Sequence, residues 1–152
     1  MENINKNLLE KFCGLLFSLK KSKKDFELVA DEIGDSSLRT ALNGLSADSN
    51  YYAGEIRQQL FSLGLNAVIP ESSWENCGDM NFEYGSDEPG TELLNICTAN
   101  ENVLTQAYNE IITEQIPSQS LKEIMIFQLN ALKYAFMKVR TLNNARFMSY
   151  SV

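Results

Sequence analysis

Histidine is missing from this sequence of 152 residues. Its absence excludes the catalytic groupings that use an imidazole, such as the Ser-His-Asp and Cys-His arrangements. It also excludes zinc sites with histidine ligands and the Glu-x-x-His pairs of di-iron carboxylate bundles. The chain therefore lacks a component of much hydrolytic and metal-dependent chemistry, and we predict that it is not an enzyme and uses no cofactor.

Long apolar runs are equally scarce. No segment approaches the roughly eighteen consecutive apolar residues of a membrane-spanning helix, and the opening MENINKNLLEKF lacks the basic start and apolar run of a secretory signal. Cys13, Cys77 and Cys97 are odd in number and have no C-x-x-C spacing, which is typical of a reducing compartment. We therefore expect a cytoplasmic protein with no membrane partner. Cys77 lies in a polar stretch and is the candidate reactive thiol.

Positive charge is sparse and unevenly distributed. The net charge is −7, which argues against a nucleic-acid partner because phosphate binding requires a concentrated surplus of lysine and arginine. Residues 1–24 carry six lysines and two glutamates, whereas residues 25–90 carry thirteen acids and two arginines. The basic run KKSKK at residues 20–24 would wrap around the solvent side of a helix. We therefore predict a solvated face there instead of a binding stripe.

Four stretches carry apolar residues at alternating three- and four-residue steps, the period of an amphipathic helix. They predict helices at about 4–33, 37–63, 91–115 and 119–145 in a single domain covering residues 1–152, and no strands. The apolar stripes consist of Leu8, Phe12, Leu15, Leu19, Phe26, Val29 and Ile33; Leu38, Leu42, Leu45, Tyr52, Ile56, Leu60 and Leu63; Leu94, Cys97, Leu104, Tyr108 and Ile111; and Leu121, Met125, Leu132, Ala135, Val139 and Leu142.

Residues typical of helix ends lie between these stripes. Gly34 is the expected C′ glycine of the first helix, and the following Asp35 is an N-cap candidate for the second, together with its serine neighbours. The second helix should stop at Gly64. After the break at Pro117, a serine at position 118 or 120 should cap the fourth helix.

The connections between the helices predict the fold class, which is all-α. Two short turns make helices 1 and 2, and helices 3 and 4, antiparallel pairs. A crossover of about 25 residues, 65–90, is long enough to run the length of helices that each measure roughly 40 Å. This is the connectivity of a ferritin-like four-helix bundle. An up-down-up-down bundle with an idle loop is the alternative.

Most of the chain resembles an uncharacterised bacterial ferritin-like four-helix-bundle family, a domain of unknown function. The first half matches in KKSKKDFELVADEIGDSSLRTALNGLSADSNYYAGEIRQQLFSLG, and the second in LLNICTANENVLTQAYNEII and IPSQSLKEIMIFQLNALKYAFMKVRTL. The resemblance implies a bundle fold and a dimer, and no established activity. The matching positions are Phe26, Ala30, Leu38, Glu55, Leu63, Gly64, Cys97, Glu101, Tyr108, Gln128, Arg140 and Leu142.

One position departs from the family pattern. Where the family has a histidine on the fourth helix, this chain has Phe136. The resemblance therefore does not carry iron chemistry over to this chain. The segment most similar to Glu-x-x-His is Glu55 to Gln58, in which an amide replaces the imidazole.

Three carboxylates fall near the middle of the predicted bundle. Glu27, Glu55 and Glu101 are the candidate ligands of a reduced metal site, either vestigial or able to hold one hard cation. A di-iron centre would require about six protein ligands, so it is disfavoured. A metal-binding or metal-storage bundle is accordingly the alternative function.

Polar residues interrupt each apolar stripe once. Ser22, Ser49, Glu101 and Gln128 are the interruptions, and they predict a polar core cluster. Buried carboxylates and amides need hydrogen-bond partners, so we expect tyrosines or serines of facing helices to supply them. Such a cluster would fix the register of the helices.

Two segments outside the helices are candidates for binding another protein. The crossover carries Trp74, Phe82 and Tyr84 among many acids, and the tail ARFMSYSV is apolar enough to pack on a neighbouring molecule. We therefore predict a non-catalytic bundle of unknown role that acts through protein–protein contacts, as a homodimer or with another protein partner.

Overall fold

The computed structural model describes the backbone of residues 6–64 and 89–150, and the side chains of residues 6–64 and 95–145. Over these ranges the structure is all-α, with four helices and no strand. They are α1 (Lys6–Glu32), α2 (Ser36–Ser62), α3 (Pro89–Ile112) and α4 (Gln119–Tyr150). None of the described helices has a stretch long and apolar enough to cross a membrane.

The α1–α2 turn is fixed by side chains on both of its sides. Asp35 is the N-cap of α2, as predicted, and its carboxylate accepts a hydrogen bond of 2.9 Å from the Leu38 amide. Arg39 donates to the carbonyls of Ala30 and Ile33, at 3.2 and 3.1 Å, and so satisfies acceptors at the end of α1. Gly34 does not adopt the left-handed conformation of a C′ glycine. Arg39 therefore satisfies the terminal carbonyls of α1, a role that the sequence assigned to Gly34.

The other helix ends follow their local chemistry. Gly64, at φ +78°, is in the left-handed region expected of a glycine after α2. Pro89 is the first residue of α3, where a missing amide proton costs nothing. Ser118, and not Ser120, caps α4 by accepting from the Leu121 amide at 3.1 Å.

Helix α4 extends to Tyr150, beyond the predicted end at about residue 145. Helix α3 ends at Ile112, before the predicted end at about residue 115. No glycine or proline follows residue 117, so the two strongest helix-ending residues are absent from this part of the chain.

In cross-section the four helices lie at the corners of a square, and each packs on its two neighbours. Helix α1 packs on α2 and α3, and α4 packs on the same two, whereas the described backbones of α1 and α4, and of α2 and α3, lie diagonally and do not approach each other. Lys11 bonds Glu114 while Ser22, further along α1, bonds Asn100, so α3 runs antiparallel to α1. Helix α4 is antiparallel to α3 by the same reasoning, because Tyr108 bonds Gln128 and Glu101 pairs with Arg140.

The predicted stripes form the core. Nearly all of the described stripe residues are buried, with Leu63 an exception at 40% exposed. Leu63 follows the end of α2 and so lies beyond the packed length of the bundle. Phe136 and Leu129 are core residues that lie outside the predicted stripes.

Candidate functional site

The three candidate metal ligands lie at different helix interfaces. Glu27 is 47% exposed and binds Lys23 at 2.9 Å and the Ser46 hydroxyl at 3.1 Å, on the side of α1 that faces α2. The hydrogen bond from Lys23 lowers the pKa of Glu27. The carboxylate is thus satisfied at the surface by its own helix and by its neighbour.

Glu55 and Glu101 bind elsewhere. Glu55 accepts a hydrogen bond of 2.8 Å from the Gln128 side chain, between α2 and α4. Glu101 forms an ion pair with Arg140, between α3 and α4. Among the residues that the structure describes, no group of three or more histidine, cysteine, aspartate or glutamate side chains could hold a metal ion. The described geometry does not gather Glu27, Glu55 and Glu101 into one ligand set.

Polar side chains form a buried network between α1 and α3, which we call the asparagine network. Ser22 donates to the Asn100 side-chain oxygen at 2.6 Å, and the Asn100 amide donates to Asp25 at 3.1 Å. Lys21 donates to the same Asp25 oxygen at 2.7 Å. Ser22 is fully buried, Asn100 is 5% exposed and Asp25 is 8% exposed. The network brings an ion pair to the edge of the core.

A second network, the glutamine network, joins α2, α3 and α4. The fully buried Gln128 accepts from the Tyr108 hydroxyl at 2.8 Å and donates to Glu55 and to the Tyr52 carbonyl. Burial raises the pKa of Tyr108 well above its ordinary value, and Tyr52 and Glu55 add to the shift. Tyr108 therefore remains a neutral hydrogen-bond donor across the physiological range.

The four residues predicted as one polar cluster are not bonded to one another. Ser22 belongs to the asparagine network, Gln128 to the glutamine network, and Glu101 to its ion pair with Arg140. The fourth, Ser49, is fully buried, and its hydroxyl has no hydrogen-bond partner among the described residues.

Sequence reasoning missed Asn100 and Asp25. Asn100 lies three residues after Cys97 and four before Leu104, so it fits the apolar period of α3 as well as Glu101 does. Only one of two adjacent polar residues can point most directly at the core, and the spacing did not distinguish them. Asp25 follows the lysine run and was not singled out in the sequence, because no apolar stripe includes its position.

Phe136 occupies the core position at which the resemblance implies a histidine. It is 2% exposed, and its ring meets that of Phe26 edge to face, with ring centres 5.6 Å apart. Such an aromatic pair stabilises the bundle beyond its area of burial. The position is therefore filled by hydrocarbon packing between α1 and α4.

The described cysteines, Cys13 and Cys97, are not joined in a disulfide. Cys97 is 3% exposed, and burial, followed by the nearby Glu101 charge, raises its pKa to about 12. A thiol with this pKa is almost entirely protonated at neutral pH and is a poor nucleophile. Cys13 is partly buried against the core.

The lysine run divides between two faces, which corrects the prediction of one solvated face. Lys21 points towards α3 and joins the asparagine network. Lys20, Lys23 and Lys24 instead line a groove between α1 and α2. The division arises because adjacent helical residues point about 100° apart.

Large apolar side chains lie along the outward face of α4, and we call them the α4 stripe. They are Ile126, Phe127, Tyr134 and Met137, which are 41 to 66% exposed. On a helical wheel the four span about 100° opposite the buried residues of α4. Asn130 lies within this arc, and the exposed Lys133 and Lys138 border it, each about 20° outside one edge.

Several predictions concern residues outside the described side chains. They are the reactive thiol at Cys77, the aromatic set Trp74, Phe82 and Tyr84, and the apolar tail beyond Ala145. They stay predictions.

Comparison with models of known protein families finds none that matches the chain. Comparison with curated proteins likewise finds no significant match. The resemblance to a ferritin-like family thus stays a prediction drawn from the residues.

Proposed function

We propose that the chain is a non-catalytic bundle that acts through protein–protein contacts, and first by binding a second copy of itself through the α4 stripe. The observation that carries the proposal is the exposure of Phe127 and Tyr134, each 66%, on one apolar face of α4. Interface cores are enriched in aromatic residues and methionine and depleted of charge. Isolated apolar side chains at a surface are ordinary, but four on one face are typical of a binding surface.

The size of the stripe favours a reversible dimer. An aromatic side chain buries about 150–250 Å² when fully covered, so two-thirds exposure leaves roughly 100–170 Å² to bury on each ring. The four side chains together offer on the order of 400–500 Å² per copy, or roughly 800–1,000 Å² in total, which is below the standard range of specific interfaces and within the range of weak, transient ones. A second copy is the occupant we favour, because two identical apolar stripes can pack about a two-fold axis without any other surface.

We also propose the ferritin-like connectivity for the bundle. The hydrogen bonds between α1 and α3 support it, since they put the start of α3 beside the end of α1. Gly64, after α2, would then lie at the opposite end of the bundle from Pro89. The intervening 65–88 could cover that length of roughly 40 Å, because an extended chain reaches about 3.3 Å per residue.

The proposal assigns the protein to the ferritin-like family of the resemblance and to the cytoplasm. The absence of a disulfide between Cys13 and Cys97 fits a reducing compartment. The metal-binding alternative has no observation in its favour among the described residues, because its three carboxylates bind separate partners.

Sedimentation equilibrium of the full chain tests the dimer. We expect a concentration-dependent dimer, and we expect Phe127→Glu to weaken it by about tenfold or more, because a charge would be buried in the interface core. Phe61→Glu is the matched control, since Phe61 is 63% exposed but lies on α2. This variant should dimerise like the parent.

Two results would contradict the proposal. The first is a parent protein that stays monomeric up to about 0.1 mM, which corresponds to a dimer weaker than about 5 kcal/mol. The second is equal weakening by Phe61→Glu and Phe127→Glu. Circular dichroism of both variants establishes that each is folded before its assembly is measured.

A further inference from the structure

Three large aromatic side chains lie on one outer side of the α2–α4 pair, and we call them the aromatic face. They are Tyr51 of α2, which is 65% exposed, and Phe127 and Tyr134 of α4, which are each 66% exposed. The α4 stripe does not include Tyr51, so the aromatic face extends the exposed apolar surface onto a second helix.

The hydrogen bonds between α2 and α4 place the three rings on the same side. Tyr51 lies four residues before Glu55, whose carboxylate accepts from Gln128, so Tyr51 belongs to the flank of α2 that borders α4. Ala131 lies three residues after Gln128 and is partly buried, so it belongs to the flank of α4 that borders α2. The two α4 rings come four residues before Ala131 and three after it.

Tyr51 is level with the gap between the two α4 rings. Helix α4 runs parallel to α1 and hence antiparallel to α2. Gln128 bonds both the Tyr52 carbonyl and the Glu55 side chain, so a residue three positions further along α4 is level with one about three positions earlier on α2. Ala131 is therefore at the height of Tyr51, and a small side chain separates the two large rings there.

The Tyr51 ring is already held in position. It meets the ring of Tyr52 edge to face, with ring centres 6.1 Å apart. Tyr52 is 8% exposed and belongs to the core. An exposed ring that is fixed in this way loses little side-chain entropy when it is covered, so more of its burial contributes to affinity.

Charge differs between the two halves of the face. On α2, Asp48 lies three residues before Tyr51, and burial raises its pKa. Glu55, the other acid on this flank, already accepts a hydrogen bond from α4. On α4, Lys138 is exposed and lies four residues after Tyr134. None of the ion pairs among the described residues includes Asp48 or Lys138.

We infer that two copies of the chain pack through the aromatic face about a two-fold axis parallel to the helices. Tyr51 of each copy lies between Phe127 and Tyr134 of the other, and Asp48 pairs with Lys138 across the interface. The inference rests on the dimer proposed above, to which it adds α2, a geometry and an ion pair.

A two-fold axis of this kind fits the placement of the residues. It sets α2 of one copy over α4 of the other and keeps every height along the bundle unchanged. Tyr51 then meets Ala131 of the second copy, where the small side chain leaves room between the rings. Lys138 is about four residues, or roughly 6 Å, from the height of Asp48, a distance that an extended lysine side chain covers.

The two halves of the face favour a second copy over an unrelated protein. Each half provides what the other lacks, namely a ring to fill the gap and a charge of opposite sign. Tyr51 also adds roughly 100–160 Å² of exposed ring per copy to the α4 stripe. This addition moves the interface towards the roughly 1,200 Å² at which stable specific interfaces begin.

Sedimentation equilibrium of Tyr51→Ala tests the contribution of α2. We expect dimerisation to weaken by about tenfold or more, because a ring buried at the centre of an interface is a typical hot spot. Phe61→Ala is the matched control, since Phe61 is 63% exposed on α2 but lies ten residues, or roughly 15 Å, beyond Tyr51. It should leave the affinity within about twofold.

Charge reversal tests the pairing across the interface. Asp48→Lys alone and Lys138→Glu alone should each weaken the dimer by about fivefold or more, because each brings like charges together. Combining them in one chain should restore most of the affinity, since the pair is re-formed with its charges exchanged. Asp31→Lys, the same change at an exposed position of α1, should leave the affinity within about twofold.

The outcomes separate this inference from the dimer itself. A parent chain that stays monomeric up to about 0.1 mM overturns both. A dimer that weakens with Phe127→Glu but not with Tyr51→Ala overturns the inference alone, and so does a charge-reversed double variant as weak as the single ones. Self-association that no variant of the face changes would leave the face to a different protein and overturn the inference as well. Thermal unfolding of each variant establishes that it is folded.

Discussion

The asparagine and glutamine networks both hold α3 in the bundle, but they differ in how they use charge. In the asparagine network, Asn100 bonds an aspartate that is itself paired with Lys21, so two helices are joined through an ionised group. In the glutamine network, the neutral Gln128 is central and Glu55 is only a partner at its edge. The difference shows that one bundle can meet the same requirement, satisfied polar groups in an apolar interior, by an ion pair or by an amide.

Helix α3, which takes part in both networks, carries two groups whose pKa values are raised. Tyr108, in the glutamine network, has a raised pKa, and so has Cys97 on the same helix. Helix α3 thus presents acids that must stay protonated towards the core. Deprotonation of these two groups at high pH should therefore destabilise the packing of α3 in the bundle.

The largest expected effect is the loss of stability at alkaline pH. The pKa of Cys97 rises from an ordinary 9.0 to about 12 on folding. The unfolded chain releases this proton at a lower pH than the folded protein does. The stability contributed by the buried, protonated Cys97 thiol is therefore fully present below about pH 9 and is lost as the pH rises towards about 12. Each unit of pH in that window removes about 1.4 kcal/mol from the free energy of unfolding. Tyr108 adds a loss that begins near pH 10, its ordinary pKa.

Urea unfolding between pH 8 and pH 11 measures this loss. Cys97→Ala should reduce the slope of stability against pH, whereas Cys13→Ala, at the partly buried cysteine, should reduce it less. Equal slopes in the parent and in Cys97→Ala would show that burial does not perturb this thiol.

The second effect concerns the asparagine network. Asn100→Ala removes the partner of both Ser22 and Asp25, and leaves a hydroxyl and a carboxylate poorly satisfied in the core. We expect it to lower the free energy of unfolding by about 3 kcal/mol. Asn130→Ala, at an exposed position of α4, should change it by less than about 0.5 kcal/mol. A loss below about 1 kcal/mol for Asn100→Ala would mean that Asp25 is held by Lys21 alone.

The smallest effect gives the sharpest comparison, because it uses one chemical change at two fully buried positions. Ser22→Ala leaves the Asn100 oxygen without its donor and should cost about 1–2 kcal/mol. Ser49→Ala removes a hydroxyl that has no partner among the described residues, so it should be neutral or stabilise by up to about 1 kcal/mol. Urea unfolding of both variants at pH 7 measures the difference. Equal losses would show that the Ser49 hydroxyl is satisfied after all.

Much of the fold was readable from periodicity. Leu8 to Ile33 on α1 and Leu38 to Leu60 on α2 were assigned to the core because apolar residues recur on one face of a helix. Asp35 was recognised as a cap by the chemistry of its side chain. The role of Arg39 was not, because its acceptors lie on the preceding helix and no local spacing reports them.

The candidate sites were less readable for the same reason. Spacing put all four polar interruptions on the apolar stripes. Ser22, Glu101 and Gln128 each bond a partner determined by the facing helix, whereas Ser49 bonds none among the described residues. The lysine run was interpreted as one solvated surface, whereas Lys21 and Lys24 lie on different faces. Side-chain direction across an interface depends on rotation of the whole helix, which a single stripe defines only approximately.

By itself, the sequence determined four amphipathic helices, candidates for several of their caps and an interior with few polar residues, because these depend on contacts within a few positions of the chain. It also determined that no imidazole is present for catalysis or metal binding. Only the tertiary structure decided that α3 lies against α1, that Asn100 and Gln128 organise separate networks, and that the lysines of α1 meet Arg57 of α2 across a groove. Those outcomes depend on which helix faces which, a property of the packed bundle that residue spacing along one helix does not contain.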